Sequence, residues 1–167
     1  AEVDCRKGAE QKVRYMSFHD SLTGLYNRNS FDEEMTRFPE VRQSPAGIMV
    51  CDVNGLKLVN DTFGHERGDE LLVQTARFLR NSFRSGDILA RVGGDEFAVL
   101  MERADESIME ELVDGLRKTV DEHNREAKIH VSLSVGWAVS ERTPPDVASL
   151  FKIADNRMYR EKMQRKE

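Results

Sequence analysis

Two short apolar segments separated by Gly93-Gly94-Asp95-Glu96 constrain the fold of this chain more than any other stretch. Ile88, Leu89 and Val92 before the turn, and Phe97, Val99 and Leu100 after it, predict two strands joined as a β-hairpin over 88–101. Such a hairpin commits the chain to antiparallel pairing. The two glycines predict a backbone with φ > 0 that lets a bulky ligand come close. Asp95 and Glu96 add negative charge at the same point. Tight backbone approach beside carboxylates suits a metal-bound phosphate better than a bare anion. In isolation the same four residues also read as a solvated turn, so their neighbours must decide.

The rest of the chain supplies a sheet and its covering helices. Residues 1–18 are polar and helix-compatible, with Val13, Met16 and Phe18 as sparse apolar contacts, and read as a linker helix ahead of a domain over 19–167. Asp20 caps the next turn, and a helix is predicted over 29–38, ended by Pro39. Ala46 to Val53 is a nearly continuous apolar run, which predicts a central strand buried on both faces. From Asp69 a helix is predicted to about Phe83, with Leu72, Ala76, Leu79 and Phe83 on one stripe. A further helix carries Ile108, Leu112, Leu116 and Val120. Alternation from Ile129 to Val139 predicts one long strand. Pro144 and Pro145 open a last helix whose buried stripe is Val147, Leu150, Phe151, Ala154 and Met158. The methionines and Trp137 read as core. This order predicts an α+β domain, a mostly antiparallel sheet flanked by helices.

Composition narrows the partners. With 167 residues and 39% apolar content, one core suffices. A net charge of −5 argues against broad binding to nucleic acid but not against a nucleotide, whose phosphates a metal and a few local cations neutralise. Cys5 and Cys51 are far apart, and Cys51 lies in an apolar run, so reduced thiols and a cytoplasmic setting are expected. No stretch has the length of a membrane span and no signal peptide is visible. The chain begins at Ala1 and reads as a piece of a longer protein, in which a membrane anchor or sensor is open.

Asp52, at the end of the apolar strand, is costly to bury unless paired. If the hairpin turn lies beside that strand end, Asp52 and Asp95 converge, and two carboxylates, a backbone carbonyl and phosphate oxygens form a set that Mg²⁺ prefers. Gly55 and Lys57 then stand where backbone N–H groups and an ammonium hold phosphate. Asn60 and Asp69 together suit a purine edge, the carboxylate favouring guanine. Asp69 also reads as a helix N-cap, and Asp52 as a cap of a strand–loop junction. His65 reads as structural.

Taken together, GGDEF at 93–97, DSLTGLYNR at 20–28 and DVNGLKLVND with GHERGD resemble the GGDEF family of diguanylate cyclases, from about residue 18 onward. The resemblance implies a fold similar to class III nucleotide cyclases and polymerase palm domains, with a ferredoxin-like core. It implies condensation of two GTP into cyclic di-GMP, with loss of two pyrophosphates, by a homodimer of half-sites under an upstream sensor domain. Asp52 and Asp95 would ligate Mg²⁺, with Mn²⁺ as a substitute, by side chain, and Val53 by its carbonyl. Asn60 and Asp69 would bind guanine; Gly55, Leu56 and Lys57 would line the phosphate loop; Lys162 would bind phosphate. Glu96 belongs to the signature turn with Gly93 and Gly94, as metal ligand or base. Arg84 and Asp87 match the RxxD site at which the family's product inhibits.

Two departures stand out. Asn54, followed by Gly55 and Leu56, replaces a common acidic residue and the aromatics after it. Lys166 stands where an arginine commonly follows the phosphate lysine, keeping charge but not bidentate geometry. Asp69 is kept, which favours GTP. The alternative reading is a catalytically silent module that binds GTP or cyclic di-GMP.

Overall fold

The computed structural model describes the backbone of residues 2–166 and the side chains of residues 7–165. Among the described residues, six helices and four strands follow one another as α1 (Glu2–Phe18), α2 (Arg28–Val41), β1 (Ala46–Val53), α3 (Leu56–Phe63), α4 (His65–Ser82), β2 (Ile88–Arg91), β3 (Glu96–Met101), α5 (Glu106–Asn124), β4 (Leu133–Ser140) and α6 (Val147–Lys166). The sheet order is β2-β3-β1-β4, and all three pairings are antiparallel. β1 is buried along its whole length, as a strand with partners on both edges and helices on both faces must be. The α+β expectation holds.

Alternation along β1 divides the core. Met49, Cys51 and Val53 join the cluster built with Leu72, Ala76, Leu79, Met109 and Leu116 of α4 and α5. Ile48 and Val50 join the opposite cluster with Phe31 and Phe38 of α2 and Leu150, Ala154 and Met158 of α6. Asp52 follows Val50 by two residues, so its carboxyl emerges on the α2/α6 face. Burial holds the Cys51 thiol in its neutral form; the Cys5 side chain lies outside the described residues.

Several boundaries differ from expectation, each for a local reason. α2 runs through Pro39 to Val41, because a proline in the last turn forfeits a single backbone bond and the Arg42 N–H still closes onto the Phe38 carbonyl. α4 starts at His65 rather than Asp69, since Gly64 at φ 91° separates it from α3, a short helix that composition conceals. Asp69 therefore lies one turn inside α4 and is not its N-cap. β4 starts at Leu133, not Ile129, because its partner β1 ends at Val53, the residue opposite Leu133. Upstream of it, the Asn124 side chain takes the ladder's place, accepting from the Val131 N–H and donating to the Val131 carbonyl, each at 2.8 Å. On α1, Val13, Met16 and Phe18 are exposed, so Met16 is not core.

Ahead of α2, Asp20 accepts from the backbone N–H and hydroxyl of Thr23 at 2.9 and 2.7 Å and pairs with Arg91 at 3.2 Å. Burial raises the Asp20 carboxyl, but these donors outweigh it and hold it below its ordinary value. A depressed carboxylate contributes stability that is present above the unfolded value of 3.8 and lost as pH falls through the lower folded one. Asp20→Asn is accordingly expected to flatten the acid limb of the melting temperature below pH ~4 and to leave its pH dependence near neutrality unchanged.

Candidate active site

The site forms where β1 ends and β3 begins. Register places Asp52 opposite Glu96 on one side and Ser134 of β4 on the other. The Val53 N–H donates to the Asp95 carbonyl at 2.8 Å, so the hairpin turn is stitched to the end of the central strand. Asp52 and Asp95 are brought near enough for the Asp95 carboxyl to raise that of Asp52. Lys162, in the second half of α6, donates to Asp52 Oδ2 at 2.7 Å. Burial raises the Asp52 carboxyl, Lys162 pulls it down, and Asp95 raises it again, leaving it above the ordinary range. Lys162 is raised in turn, chiefly by its bond to Asp52.

Directly cross-strand from Asp52, Glu96 shares its face and meets a different part of α6. Burial, then the Asp155 and Asp52 carboxyls, outweigh the Arg28 guanidinium and push Glu96 up to about 7. Asp155 and Lys162 are seven residues apart, two helical turns, so one stripe of α6 covers both acids. Asp155 had no signal in the sequence, because nothing local says that α6, packed across β4 and β1, brings it to Glu96.

The turn itself differs from expectation. Neither Gly93 nor Gly94 has a left-handed φ; those glycines are Gly24, Gly55 and Gly64. A Cβ at Gly94 would meet nothing within 4 Å, so the glycine leaves the turn's outer side open for a ligand. The turn is held from beneath: Arg91 donates to the Gly94 carbonyl at 2.8 Å while also pairing with Asp20. Arg91 is a site residue that its sequence context did not disclose.

Gly55, at φ 73°, turns the chain from β1 into α3, and open space lies beside it. Leu56 opens α3 and packs on the core, whereas Lys57 is exposed. Asn54, in place of an acidic residue, is held on both sides of its amide. It donates to Ser132 Oγ and accepts from Ser134 Oγ, both at 3.0 Å. Asn60, on α3, has its Oδ1 buried without a hydrogen-bond partner. A Cβ at Gly68 would fall on that amide, so the glycine is what lets Asn60 lie against α4. The exposed Asp69 is the next residue. The Lys166 side chain lies outside the described residues.

The donor set fits a divalent cation. Asp52 Oδ1 is buried and unpartnered, the neighbouring Asp95 carboxyl repels it, and Lys162 offsets only one of these charges. Among the described residues no group of three or more His, Cys, Asp or Glu side chains gathers as a cage. Mg²⁺ is commonly held by one or two carboxylates with substrate phosphates, as two carboxyls allow.

Arg84 and Asp87 come together at the other end of the hairpin. Arg84 forks onto Asp87 at 3.0 Å and donates to the Glu102 carbonyl at 2.7 Å beyond the end of β3. The Asp87 side chain is only 3% exposed. With β2 spanning four residues at ~3.3 Å each, this pair and the Gly93-Gly94 turn flank opposite ends of the strand. No helix among the described residues is long and apolar enough to cross a membrane.

Known proteins share this fold. The family model for the diguanylate cyclase GGDEF domain matches residues 17–167. A probable diguanylate cyclase of Escherichia coli, DgcT, is 33% identical over 156 residues, which are 90% of this chain and 34% of that protein. The chain thus spans about a third of that relative's length. The coiled coil and GGDEF domain of DgcB from Caulobacter crescentus, solved with c-di-GMP, superimposes with a TM-score of 0.84 at 26% identity, covering 98% of this chain and 90% of that one. The GGDEF domain of TpbB (YfiN) from Pseudomonas aeruginosa gives a TM-score of 0.72 at 32% identity, covering 87% and 89%. With the convergent carboxylates, the open glycine turn and the lysine of α6 in one place, the chain belongs to the GGDEF-domain family of diguanylate cyclases.

Proposed function

We propose that this domain condenses two GTP molecules into cyclic di-GMP, releasing two pyrophosphates, with one GTP held by each of two protomers. The observation that carries this reading is the meeting of Asp52, Asp95 and Lys162 beneath an open glycine turn. Asp52 and Asp95 would hold Mg²⁺ or Mn²⁺ by side chain and Val53 by its carbonyl. Bound there, the ion would neutralise charge developing on the α-phosphorus and ease deprotonation of the attacking 3′-hydroxyl. The chain's own groups do the rest. Lys162 balances the Asp52 charge and stands at the phosphate end. The backbone at Gly55, with Leu56 and Lys57, receives phosphate oxygens, and Asn60 and Asp69 read the guanine edge. Glu96, whose carboxyl burial and Asp155 push up to about 7, would act in the signature turn as metal ligand or base.

One protomer offers one such cleft, and cyclisation needs each 3′-hydroxyl aimed at the other nucleotide's α-phosphate. Catalysis is therefore positioning and charge stabilisation across two facing domains. Residues 1–18 would be the arm through which an upstream sensor domain sets that encounter, and residues 19–167 the catalytic unit. The test is pyrophosphate release from GTP and Mg²⁺ over a range of protein concentrations. A specific rate rising with concentration supports the reading; absence of product at any concentration defeats it.

Gly68→Ala is expected to displace the Asn60 amide and raise the KM for GTP ~10-fold, since a lost base contact is worth ~1–1.5 kcal/mol. Steady-state kinetics checks this, and an unchanged KM would remove Asn60 from the base site. Arg84 and Asp87 form the inhibitory product site in this reading, a guanidinium and a carboxylate suited to a phosphate and a guanine edge. Arg84→Ala should raise the concentration of added cyclic di-GMP that halves the rate by ~10-fold or more. Inhibition curves that overlay those of the unaltered protein would exclude the site.

A further inference from the structure

We infer that Arg165 is the second phosphate-binding cation of this site, the role that motif spacing assigned to Lys166; the inference rests on the GTP reading above. Relative to Lys162, positions 165 and 166 are i+3 and i+4, and both lie near the same helix face. Spacing alone cannot choose between them.

Tertiary contacts choose Arg165. A cavity of about 350 Å³ opens beside the Gly55 turn and is lined by Asn54, Gly55, Ser132, Lys162 and Arg165. Arg165 Nη1 donates to Ser132 Oγ at 3.4 Å, and that hydroxyl also accepts from Asn54 at 3.0 Å. The Asn54 N–H in turn donates to the Ser132 carbonyl at 2.8 Å. The guanidinium is thus tethered to the loop that begins at the end of β1, next to the left-handed glycine.

Charge favours the same residue. Lys162 is committed to Asp52 at 2.7 Å. Arg165 reaches Glu161 at 3.2 Å, but Glu161 already receives both forks of Arg117 at 2.9 and 3.1 Å. Glu161 is thus shared between two guanidiniums, and Arg165 receives from it only a single bond. The Arg165 side chain is 46% exposed, so its remaining donors are reachable. A planar guanidinium can clasp two oxygens of a polyphosphate at once, which a lysine cannot do. The ligand chemistry is the β,γ-phosphate end of a nucleoside triphosphate. Asn54, standing where an acidic residue is common, keeps negative charge out of the same cavity.

The experiment compares the unaltered protein, Arg165→Ala, Arg165→Lys and Lys166→Ala by pyrophosphate-release kinetics and by equilibrium binding of GTP and GMP with Mg²⁺. Arg165→Ala is expected to weaken GTP binding and raise its KM ~10-fold, with GMP binding within about twofold, because GMP lacks the terminal phosphates. Arg165→Lys should recover part of that loss, and thermal melting shows whether α6 remains folded. Equal weakening of GTP and GMP, or an Arg165→Ala protein that binds GTP normally, overturns the assignment. So does a larger loss in Lys166→Ala than in Arg165→Ala. An unaltered protein that binds no GTP defeats the substrate reading and the inference together; normal GTP binding with insensitive Arg165 variants defeats the inference alone.

Discussion

Replacing Asp95 with asparagine is expected to leave a folded protein whose turnover of GTP is at least ~10³-fold lower. The isosteric amide keeps the turn, because the backbone bond from the Val53 N–H to the Asp95 carbonyl does not involve the side chain. What it removes is one of two neighbouring carboxylates at a buried strand end. Without a cation that pair is unfavourable: burial, and beyond it Asp95, hold the Asp52 carboxyl up against the pull of Lys162. The variant is therefore expected to melt a few degrees higher than the unaltered protein in metal-free buffer. Relief of ~1 kcal/mol corresponds to ~2–4 °C in a domain of this size. Its response to Mg²⁺ should shrink at the same time, because stabilisation by a bound ligand requires the ligand. Gain of stability with loss of function is the signature of a site built for charge that the substrate complex brings. Pyrophosphate release and melting curves with and without Mg²⁺ measure both sides. Turnover within tenfold of normal would mean that Asp95 is only a turn residue.

The second large effect concerns a residue with no chemistry. Gly136→Ala is expected to destabilise the fold by ~3–5 kcal/mol, lowering the melting temperature by ~10 °C or more. Gly136 sits in β4 opposite Val50 of β1. A Cβ there would overlap the Ala154 carbonyl oxygen and the Met158 nitrogen and lie 2.8 Å from the Arg157 carbonyl carbon. All three are backbone atoms of α6, so no side-chain rotation relieves the clash, and the helix must lift from the sheet. Asp155, Lys162 and Arg165 ride on that helix, so whatever folds should also be inactive. Gly115→Ala on α5 is the control, since its Cβ would meet nothing within 4 Å and alanine is the better helix former. A Gly136→Ala melting temperature within two or so degrees of normal would show that α6 has slack at this crossing.

Much of the site was legible because its residue types are rare in combination. Carboxylates beside paired glycines, an acid closing an apolar strand, and an asparagine and aspartate flanking a glycine pair each narrow the chemistry. What failed to show was anything set by where an element stops. α3 and α4 read as a loop and a late-starting helix because one glycine, Gly64, divides them. β4 read as four residues too long because hydrophobic alternation continues past the point where β1 offers a partner. The turn glycines read as left-handed, whereas the left-handed glycine beside the end of β1 is Gly55.

The sequence by itself determined the type of every element except α3, the antiparallel hairpin, the candidate carboxylates and the family. Those are local properties, carried by periodicity and by residue types a few positions apart. Tertiary structure alone decided which groups meet: Lys162 with Asp52 across 110 residues, Glu96 with Asp155, Arg91 beneath Gly94, and Arg165 beside Gly55. It also decided that Gly136 must be a glycine. Each of these depends on the angle and distance at which α6 or the hairpin crosses a strand far away in the chain. Such crossings are set by packing summed over the whole core, and packing leaves no periodic mark on any one segment.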